Sequence, residues 1–498
     1  MVRGLVAVVL NGTLIAGFAS AQSLPDPKGK PDPALWSRLM DEGTAAYRES
    51  RYQKAEEDLA SALREAEIFG SDDPRVADSA NNLGAVYYAQ GKYSSARPLF
   101  DRALCVRQKI VGVDDPLIAQ LENNLAKLDL VEGKYAVAEA ELRHALETDR
   151  KAFGDDDLEV ASVAQGLGQA CFATGKYADA EQALSLALRI REKALGPNHP
   201  DVAQTLRAQG LLLSVEGKYP DAQAALERSI AIDEKMLPPG HPALANALND
   251  LGLVKSEMGL YRAARDLYER ALAIDEKALG RDDAGVGGIV ANLAAVECSA
   301  GKCRQAEKLF ERAMAIDEKA FGPDHPAVAQ VLNDWAVALQ NERRYENAES
   351  MLERALAIRK QVFGPQHVLV AQTQYNLGML HLARKEYDEA EPLFLSALKI
   401  RQNALGADHP RVGETVDGLA RLYAARKQYN DAEASYRRSL EIERAAYGAV
   451  HPTVAATLDS YAALLRTQNR NAEADVLAAR AMVVRAQWNE TLVANANR

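Results

Sequence analysis

A period of 42 residues runs through almost the whole chain without insertion or deletion. Prolines stand at multiples of that interval, at Pro74, Pro116, Pro200, Pro242, Pro326, Pro410 and Pro452, and the three remaining places hold Leu158, Ala284 and Val368. A second series runs in the same steps through Tyr93, Tyr135, Tyr177, Tyr219, Tyr261, Cys303, Tyr345, Tyr387 and Tyr429. A fixed period of this length is typical of a solenoid, which presents a long concave surface and rarely an enclosed pocket. The period therefore predicts a binding scaffold rather than an enzyme.

Each unit has the pattern of two helices joined by a short turn. In the unit that begins at Pro326, apolar residues recur at helical spacing from Val328 to Leu339, and proline suits the first helical position. The pattern resumes at Tyr345 and ends near Gly364, a residue type that stops helices. We therefore predict an all-α chain of eleven helix pairs. One shorter pair runs from Pro33 to Gly70, and ten follow in strict register from about Pro74 to Asn489.

The first 21 residues have the features of an export signal. Arg3 gives a basic start, residues 5–18 are mostly apolar, and Ala19-Ser20-Ala21 offers a small-x-small cleavage site. We expect cleavage before Gln22 and a mature protein that is periplasmic or secreted; an uncleaved membrane anchor is the alternative. The predicted boundaries are a signal peptide at 1–21, a proline-rich spacer at 22–32, the repeat solenoid at 33–490 and a C-terminal tail at 491–498. No later stretch approaches membrane-spanning length.

The charge of the chain argues against nucleic acid as a partner. The formal net charge is −11, and removal of residues 1–21, whose only charged side chain is Arg3, gives −11 − 1 = −12. Such an acidic chain repels a phosphate backbone. Charged residues make up 26% and hydrophobic residues 48% of the sequence, which is ordinary for a soluble protein.

The four cysteines do not have the spacing of a metal site. Cys105 and Cys171 lie in units that are not neighbours, which favours buried thiols. Cys298 and Cys303 flank the turn between two helices and could form a disulfide in an oxidising compartment. Two small core residues are the alternative at these positions.

The motifs of the unit resemble tetratricopeptide repeats. Leucine followed by glycine or alanine stands on the first helix, Ala-Glu and Arg-Ala-Leu on the second, and Gly-Lys-Tyr at the turn, in Gly91 to Tyr93, Gly133 to Tyr135, Gly175 to Tyr177 and Gly217 to Tyr219. The 42-residue length, with recurrent His-Pro-x-Val-Ala and Arg-Ala-Leu-x-Ile-x-Glu-Lys, resembles the kinesin light chain type. The resemblance implies a right-handed α-solenoid that binds a protein or peptide partner. The motor role does not carry over, since kinesin light chains begin with a coiled coil where this chain has an export signal.

The resemblance also implies that the first helices line a concave groove, with the two residues before the leucine of Leu-Gly on or beside it. Amide side chains dominate those positions and the position one turn earlier. The predicted peptide-binding residues are Asn81, Asn82, Asn123, Asn124, Asn249, Asn292, Asn333, Asn376, Gln120, Gln204, Gln330 and Gln372. Because an amide both donates and accepts hydrogen bonds, such a ladder suits the backbone of an extended peptide. The same side chains could instead be solvated, or could tie one helix to the next repeat.

Other side chains at the groove differ from unit to unit. Positive charge comes from Arg207 and Arg421, negative charge from Asp417, Asp459 and Glu414, and an apolar middle from Leu211, Leu253, Val337 and Met379. We therefore predict that the ligand is not uniformly charged.

Recurrent histidines and acid pairs do not indicate catalysis. Six histidines hold one position in different units, namely His199, His241, His325, His367, His409 and His451. Equivalent positions are a helix pair apart, roughly 20 Å, whereas zinc ligands lie about 2 Å from one ion, so we expect these residues to cap helices. The acidic residues in Asp233-Glu234 and Asp317-Glu318 are expected to form a solvated helix face. Without a phosphate loop, nucleophile elbow or cysteine–histidine pair, the sequence predicts no enzyme, no cofactor and no metal.

The leading hypothesis is a non-catalytic scaffold that binds a peptide or protein partner in its concave groove. The alternative is a regulatory or substrate-docking subunit of an enzyme complex whose chemistry lies on another chain. A third hypothesis is self-association through the last helix, where Met482, Val483, Val484 and Trp488 lack a following repeat to cover them.

Overall fold

The structure, a computed structural model, describes residues 30–48, 51–90, 92–112, 115–132 and 134–496, with side chains described for all of these but Arg48 and residues 491–496. The predicted signal peptide and most of the predicted spacer lie outside the described residues. Within the described ranges, no helix combines the length and the apolar character needed to cross a bilayer.

Helices in antiparallel pairs make up the described part of the chain. The first helices of the pairs are α1 (Pro33–Arg48), α3 (Pro74–Ala89), α5 (Pro116–Val131), α7 (Leu158–Ala173), α9 (Pro200–Val215), α11 (Pro242–Glu257), α13 (Ala284–Ser299), α15 (Pro326–Asn341), α17 (Val368–Arg384), α19 (Pro410–Ala425) and α21 (Pro452–Thr467). The second helices are α2 (Tyr52–Phe69), α4 (Tyr93–Val111), α6 (Tyr135–Phe153), α8 (Tyr177–Leu195), α10 (Tyr219–Met236), α12 (Tyr261–Ala278), α14 (Cys303–Phe321), α16 (Tyr345–Phe363), α18 (Tyr387–Leu405), α20 (Tyr429–Tyr447) and α22 (Asn471–Ala496). We number the pairs 1 to 11 in chain order. The predicted all-α fold of eleven helix pairs is confirmed.

Capping and backbone chemistry set the helix boundaries. α15 begins at Pro326, and the preceding His325 accepts a hydrogen bond from the backbone N–H of Ala327 through Nδ1. α16 ends at Phe363, after which Gly364 has a φ of 81°, a conformation that glycine adopts without strain. A side-chain cap of the same kind precedes every first helix from pair 2 onward, supplied by Asp73, Asp115, Asp157, His199, His241, Asp283, His325, His367, His409 and His451. The predicted capping role of the six histidines is therefore confirmed.

The two helices of a pair approach closely where a small residue faces a large one. A Cβ atom added at Gly168 would lie 2.6 Å from Cγ of Leu184, and one added at Gly378 would lie 2.9 Å from Cε1 of Phe394. Leu184 and Phe394 are buried, as are their counterparts in the other repeats of pairs 1 to 10. The core is the layer between first and second helices, and each pair completes the core of the pair before it.

The first helices form the inner face of the coil and the second helices form the outer face. First helices of adjacent pairs touch one another all along the array, whereas second helices of adjacent pairs make no comparable contact in the described part of the chain. Because the first helices are closer together, the array curves around them.

The curvature is tight enough that pairs six apart touch. The ring of His409, before α19, lies against Gly175 in the turn after α7, and His451, before α21, lies against Gly217 in the turn after α9. His367, before α17, makes the equivalent approach to the end of α5. We call this contact of His367, His409 and His451 with the turns after α5, α7 and α9 the seam. Nothing in the 42-residue period predicts it, because the period does not fix how many pairs complete one turn of the coil.

The last helix reaches across the seam. α22 continues to Ala496, past the boundary at residue 490 that we predicted for the tail. Trp488 packs edge-on against Tyr219 of α10, with ring centroids 5.2 Å apart, and also contacts the ring of His451. The C-terminal pair is therefore fixed to pair 5 as well as to pair 10.

This packing removes half of the residues on which the self-association hypothesis rests. Trp488 packs against Tyr219 of the same chain, and Val484 is buried against α21. Met482 and Val483 do remain exposed, as predicted.

The cysteines divide into one bridged pair and two free thiols. A disulfide bond joins Cys298 to Cys303 across the turn between α13 and α14. Cys171 is buried, as predicted, but Cys105 is exposed, so the prediction of a buried thiol there is wrong. Cys105 falls on the solvent side of α4, on the same helix face as the exposed Asp101 and Lys109.

Candidate functional site

The asparagines of the inner face bond mainly to one another. The side-chain amide of Asn124 donates a hydrogen bond of 2.9 Å to Oδ1 of Asn81 in the preceding repeat. Bonds of the same length join Asn292 to Asn249 and Asn376 to Asn333. Each bond runs from one repeat to the next, so the ladder ties adjacent inner helices together. This arrangement is one of the alternatives that the sequence left open.

Some predicted peptide-binding residues are buried between repeats, namely Asn123, Asn333, Gln372 and Asn376. Asn333 has no exposed surface, and both polar atoms of its amide are bonded, because Oδ1 accepts from Asn376 and Nδ2 donates to Asp334. A ligand could reach these four side chains only by separating the inner helices. We therefore remove them from the candidate contact residues.

The predicted glutamines, which lie one helical turn before the asparagines, fall into two groups. Gln330 and Gln372 both accept hydrogen bonds from the guanidinium of Arg359, and Gln330 also donates to Asp334. Gln120 and Gln204, by contrast, are exposed. The predicted residues that keep exposed surface on the inner face, outside that bonded group, are Asn81, Asn82, Asn124, Asn249, Asn292, Gln120 and Gln204.

On the first helices of five consecutive pairs, an apolar residue lies one helical turn after the amide position. Together they are Leu211, Leu253, Ala295, Val337 and Met379, and we call them the inner strip. These residues lie four positions after the first amide position, and therefore on the same helix face. Each is half-buried, so each leaves aliphatic surface exposed along the inner face.

The charged groups near the inner strip are mostly paired. Arg207 forms an ion pair of 2.7 Å with Asp250 of the next repeat, and Arg421 forms one of 2.7 Å with Asp417. Lys127 differs: it forms no ion pair with a described residue, and its ammonium donates a hydrogen bond of 3.4 Å to Oδ1 of Asn124. Burial lowers the pKa of the Lys127 ammonium. Lys127 is thus a cation at the position equivalent to the inner strip with which no described carboxylate forms an ion pair.

Buried arginines join some second helices to the next inner helix. They are Arg191, Arg359 and Arg401. Arg359 donates to the backbone oxygen of Leu369 over 3.0 Å and to the hydroxyl of Thr373 over 2.7 Å, and the other two arginines make the same pair of bonds. Burial lowers the pKa of Arg359 to about 10. These bonds are structural, because both acceptors belong to the neighbouring repeat.

Aspartate takes the place of arginine at other junctions, and there it is buried rather than solvated. The residues are Asp149, Asp233, Asp275 and Asp317. Our prediction of a solvated face is therefore wrong for these aspartates. Where the arginine junctions have threonine on the next helix, these junctions have Val163, Ala247, Ile289 and Val331. Burial raises the pKa of Asp317 to about 7. The adjacent Glu234 and Glu318 do face outward, and pair with Arg270 and Arg354 of the next repeat.

One group of metal-ligand side chains comes together among the described residues, at Glu139, Cys171 and Asp179. Lys176 binds Glu139 over 2.7 Å, and Arg143 bridges Glu139 and Asp179. Burial, with Glu139 nearby, raises the pKa of the Cys171 thiol to about 11, so the thiol stays protonated at neutral pH. Two cations already neutralise the carboxylates, and the group is an ion-pair network rather than a metal centre.

Comparison with known proteins identifies relatives of the fold. The family model described as tetratricopeptide repeat matches residues 38–109, 117–193, 172–235, 217–277, 288–340, 328–403, 369–445 and 414–485. A comparison with curated proteins found no match. Among solved structures, Rap protein complexed with Competence and Sporulation Factor is 14% identical with a TM-score of 0.50, and the alignment covers 74% of this chain and 99% of that one.

Two further structures are similar over shorter stretches. BtubC (BKLC) from P. vanneervenii is 26% identical with a TM-score of 0.38, over 45% of this chain and 91% of that one. A Podosopora anserina putative kinesin light chain with nearly identical TPR-like repeats is 23% identical with a TM-score of 0.34, over 41% of this chain and 97% of that one. The family match itself extends from residue 38 to residue 485 with short gaps. Since it covers well over half of the sequence, the chain belongs to the tetratricopeptide repeat family.

Proposed function

We propose that this protein is a non-catalytic scaffold whose inner face binds an extended segment of a protein partner. The inner strip is the observation that carries the proposal. A single exposed aliphatic side chain needs no explanation, but a continuous line from five consecutive pairs is a surface that burial would stabilise. Tetratricopeptide repeats are interaction modules in general, and a protein of similar fold, Rap, has been crystallised with Competence and Sporulation Factor.

The residues around the inner strip favour a ligand of mixed character. Aliphatic side chains would lie on the strip, and the exposed amides of Gln120 and Gln204 are free to bond to a peptide backbone. Lys127, two pairs before the strip, adds a place for a negatively charged group. This combination matches the prediction of a ligand that is not uniformly charged.

We also propose that the protein is exported. The proposal rests on the signal-like residues 1–21, and the disulfide between Cys298 and Cys303 supports it, because such bonds persist in oxidising compartments. N-terminal sequencing of protein recovered from outside the cytoplasm is expected to start at Gln22. A start at Met1 would contradict cleavage.

Replacing Leu253 and Val337 together by glutamine is expected to weaken binding of peptides selected on the purified protein from a random phage-display library. Each substitution removes an aliphatic contact worth about 1 kcal/mol or more, so the Kd rises by about tenfold or more. Isothermal titration calorimetry with the selected peptides measures the change.

The matched control replaces Leu260 and Leu279 by glutamine, since these leucines are 45% and 42% exposed at the turns that follow α11 and α12. The control is expected to keep the wild-type Kd. If the control variant lost affinity and the Leu253→Gln/Val337→Gln variant did not, the binding surface would lie outside the inner face.

A further inference from the structure

The seam joins repeats that are far apart in sequence, so that the later repeats of the coil pack against the earlier ones. We propose that the seam is an acid-sensitive latch, which holds successive turns of the coil together near neutral pH and releases them when His367 and His409 take up protons. Release would widen access to the inner face. The proposal concerns the coil itself and stands whether or not the inner strip binds a peptide.

The capping role of these histidines determines where a proton can be added. Nδ1 of His367 accepts from the backbone N–H of Leu369 over 3.2 Å, and Nδ1 of His409 accepts from that of Arg411 over 3.0 Å. The neutral ring therefore carries its hydrogen on Nε2. A second proton must go to Nδ1, where it opposes the backbone N–H and the positive end of the helix dipole. Protonation thus breaks the cap and places a cation inside the seam.

The surroundings of His367 disfavour that cation. Its ring is 6% exposed, lies on the ring of Phe363 and faces the backbone carbonyl of Val131 in the first turn of the coil. Burial lowers the pKa of His367 to about 4; the Val131 carbonyl acts in the opposite direction and Arg359 in the same one. Nε2 makes no well-formed hydrogen bond with a described residue, so packing rather than a strong bond holds the ring in place.

The surroundings of His409 are more cationic. Burial lowers the pKa of His409 to about 3, and Arg411 and Arg401 on the second turn of the coil add to that effect. The backbone carbonyl of Ala173 and the carboxylate of Glu414 act in the opposite direction. Two arginines against one carboxylate leave a positive field at the ring.

The first turn of the coil supplies no counter-charge to either ring. Among the groups that most affect the pKa of His367 and His409, no described carboxylate belongs to α5 to α8. The titratable group beside this part of the seam is Tyr177, which interacts with Tyr447, Arg411 and Glu216. Burial raises the pKa of Tyr177, so its hydroxyl keeps its proton at neutral and acidic pH.

The direction of the pH effect follows from these differences. When the coil opens, the burial that lowers the pKa of each histidine is removed, so the pKa rises toward its ordinary value of 6.5. The open form therefore binds more protons below pH 6.5, and the closed form loses stability as the pH falls from about 6.5 to about 4. With two histidines, the ratio of closed to open molecules falls by up to about 100-fold per pH unit.

The helix pairs are not expected to unfold in the same range. Burial raises the pKa of Asp317 to about 7 and that of Asp275 to about 6. A carboxyl group with a raised folded-state pKa gains relative stability as the pH falls through that value. A fall in pH therefore stabilises these junctions between neighbouring pairs and destabilises the seam.

The test is small-angle X-ray scattering of the full-length protein between pH 7.5 and 4.5 at fixed ionic strength, with far-UV circular dichroism of the same samples. The radius of gyration of the wild type is expected to rise below pH 6.5 while the helical signal is retained. The variant His367→Asn/His409→Asn keeps capping residues but cannot take up these protons. Its radius is expected to rise less below pH 6.5 than that of the wild type, because only His451 of the three seam histidines remains.

The variant His199→Asn/His241→Asn is the matched control, because both histidines cap helices outside the seam and His199 is 38% exposed. It is expected to expand with pH as the wild type does. Three outcomes would overturn the proposal: a wild-type radius that does not change, an unchanged expansion in His367→Asn/His409→Asn, or an expansion accompanied by loss of the helical signal.

Discussion

The double substitution Gly175→Asn/Gly217→Asn is expected to open the coil at neutral pH and to increase its radius of gyration. A Cβ atom at Gly175 would lie 2.6 Å from Cδ2 of His409, and one at Gly217 would lie 2.8 Å from Cδ2 of His451. Neither ring can swing aside freely, because its Nδ1 atom is held by the helix cap. Overpacking of this kind costs about 1–3 kcal/mol at each site, and both sites belong to one contact.

The chain provides a close control in Gly259→Asn/Gly301→Asn. These glycines occupy the same turn in pairs 6 and 7 and have φ values of 75° and 83°, against 73° and 76° at Gly175 and Gly217. Nothing lies within 4 Å of a Cβ atom at either control position. Asparagine tolerates this backbone conformation, and Asn469 adopts it with a φ of 60°. Equal scattering profiles for the two double variants would show that the seam does not hold the coil closed.

Truncation of Phe394 to alanine is expected to lower the free energy of local unfolding of pairs 9 and 10 by about 3–5 kcal/mol. The ring is fully buried and fills the space beside two glycines, with Cε1 at 2.9 Å from a Cβ atom at either Gly378 or Gly418. No neighbouring side chain can close the cavity from those two sides, since glycine has none. Because repeat arrays do not unfold in one step, native-state hydrogen exchange is the appropriate measurement.

The milder variant Phe394→Leu is expected to cost about 1.5 kcal/mol or less. Leucine fills the same position in five other repeats, at Leu59, Leu142, Leu184, Leu226 and Leu352. Exchange in pair 6, which takes no part in the seam, is expected to stay at the wild-type rate in both variants. A uniform increase in exchange over the whole array would contradict the local nature of the effect.

The helices could be predicted almost to the residue because their boundaries depend on local chemistry. Pro326 suits the first position of a helix, where no backbone N–H is needed, and Gly364 ends one in a conformation that other residues avoid. A period without insertions then carries the same boundaries from one repeat to the next. The described helices therefore match the predicted pairs from Pro33 onward.

The inner face was predicted less well because its chemistry depends on how adjacent repeats align. The amide of Asn124 could have faced a ligand, but the repeats are offset so that it meets Asn81, 43 residues earlier. That spacing recurs between Asn292 and Asn249 and between Arg207 and Asp250, and complementary residues 43 positions apart were the signal in the sequence. Asp317 is buried while its neighbour Glu318 is not, because adjacent residues on a helix point in different directions.

The sequence contains a weaker indication of the seam, at the turn between the two helices of a pair. The turn residue is glycine in pairs 2 to 7 but becomes Arg343, Lys385, Lys427 and Asn469 in pairs 8 to 11, although the described backbone has a positive φ on both sides of the change. Backbone conformation alone does not require the earlier glycines. The close approach of a histidine from six pairs further on does explain those at Gly175 and Gly217.

The distance of this contact along the chain has a consequence for folding. His409 and Gly175 are 409 − 175 = 234 residues apart, whereas the junctions between successive helix pairs join neighbouring segments. Local junctions can form as soon as a pair has been synthesised, but one of such high contact order must wait for six more pairs. In a newly made chain the early repeats therefore assemble before the seam can form. A partner present at that stage could bind to the inner face before the seam closes the coil.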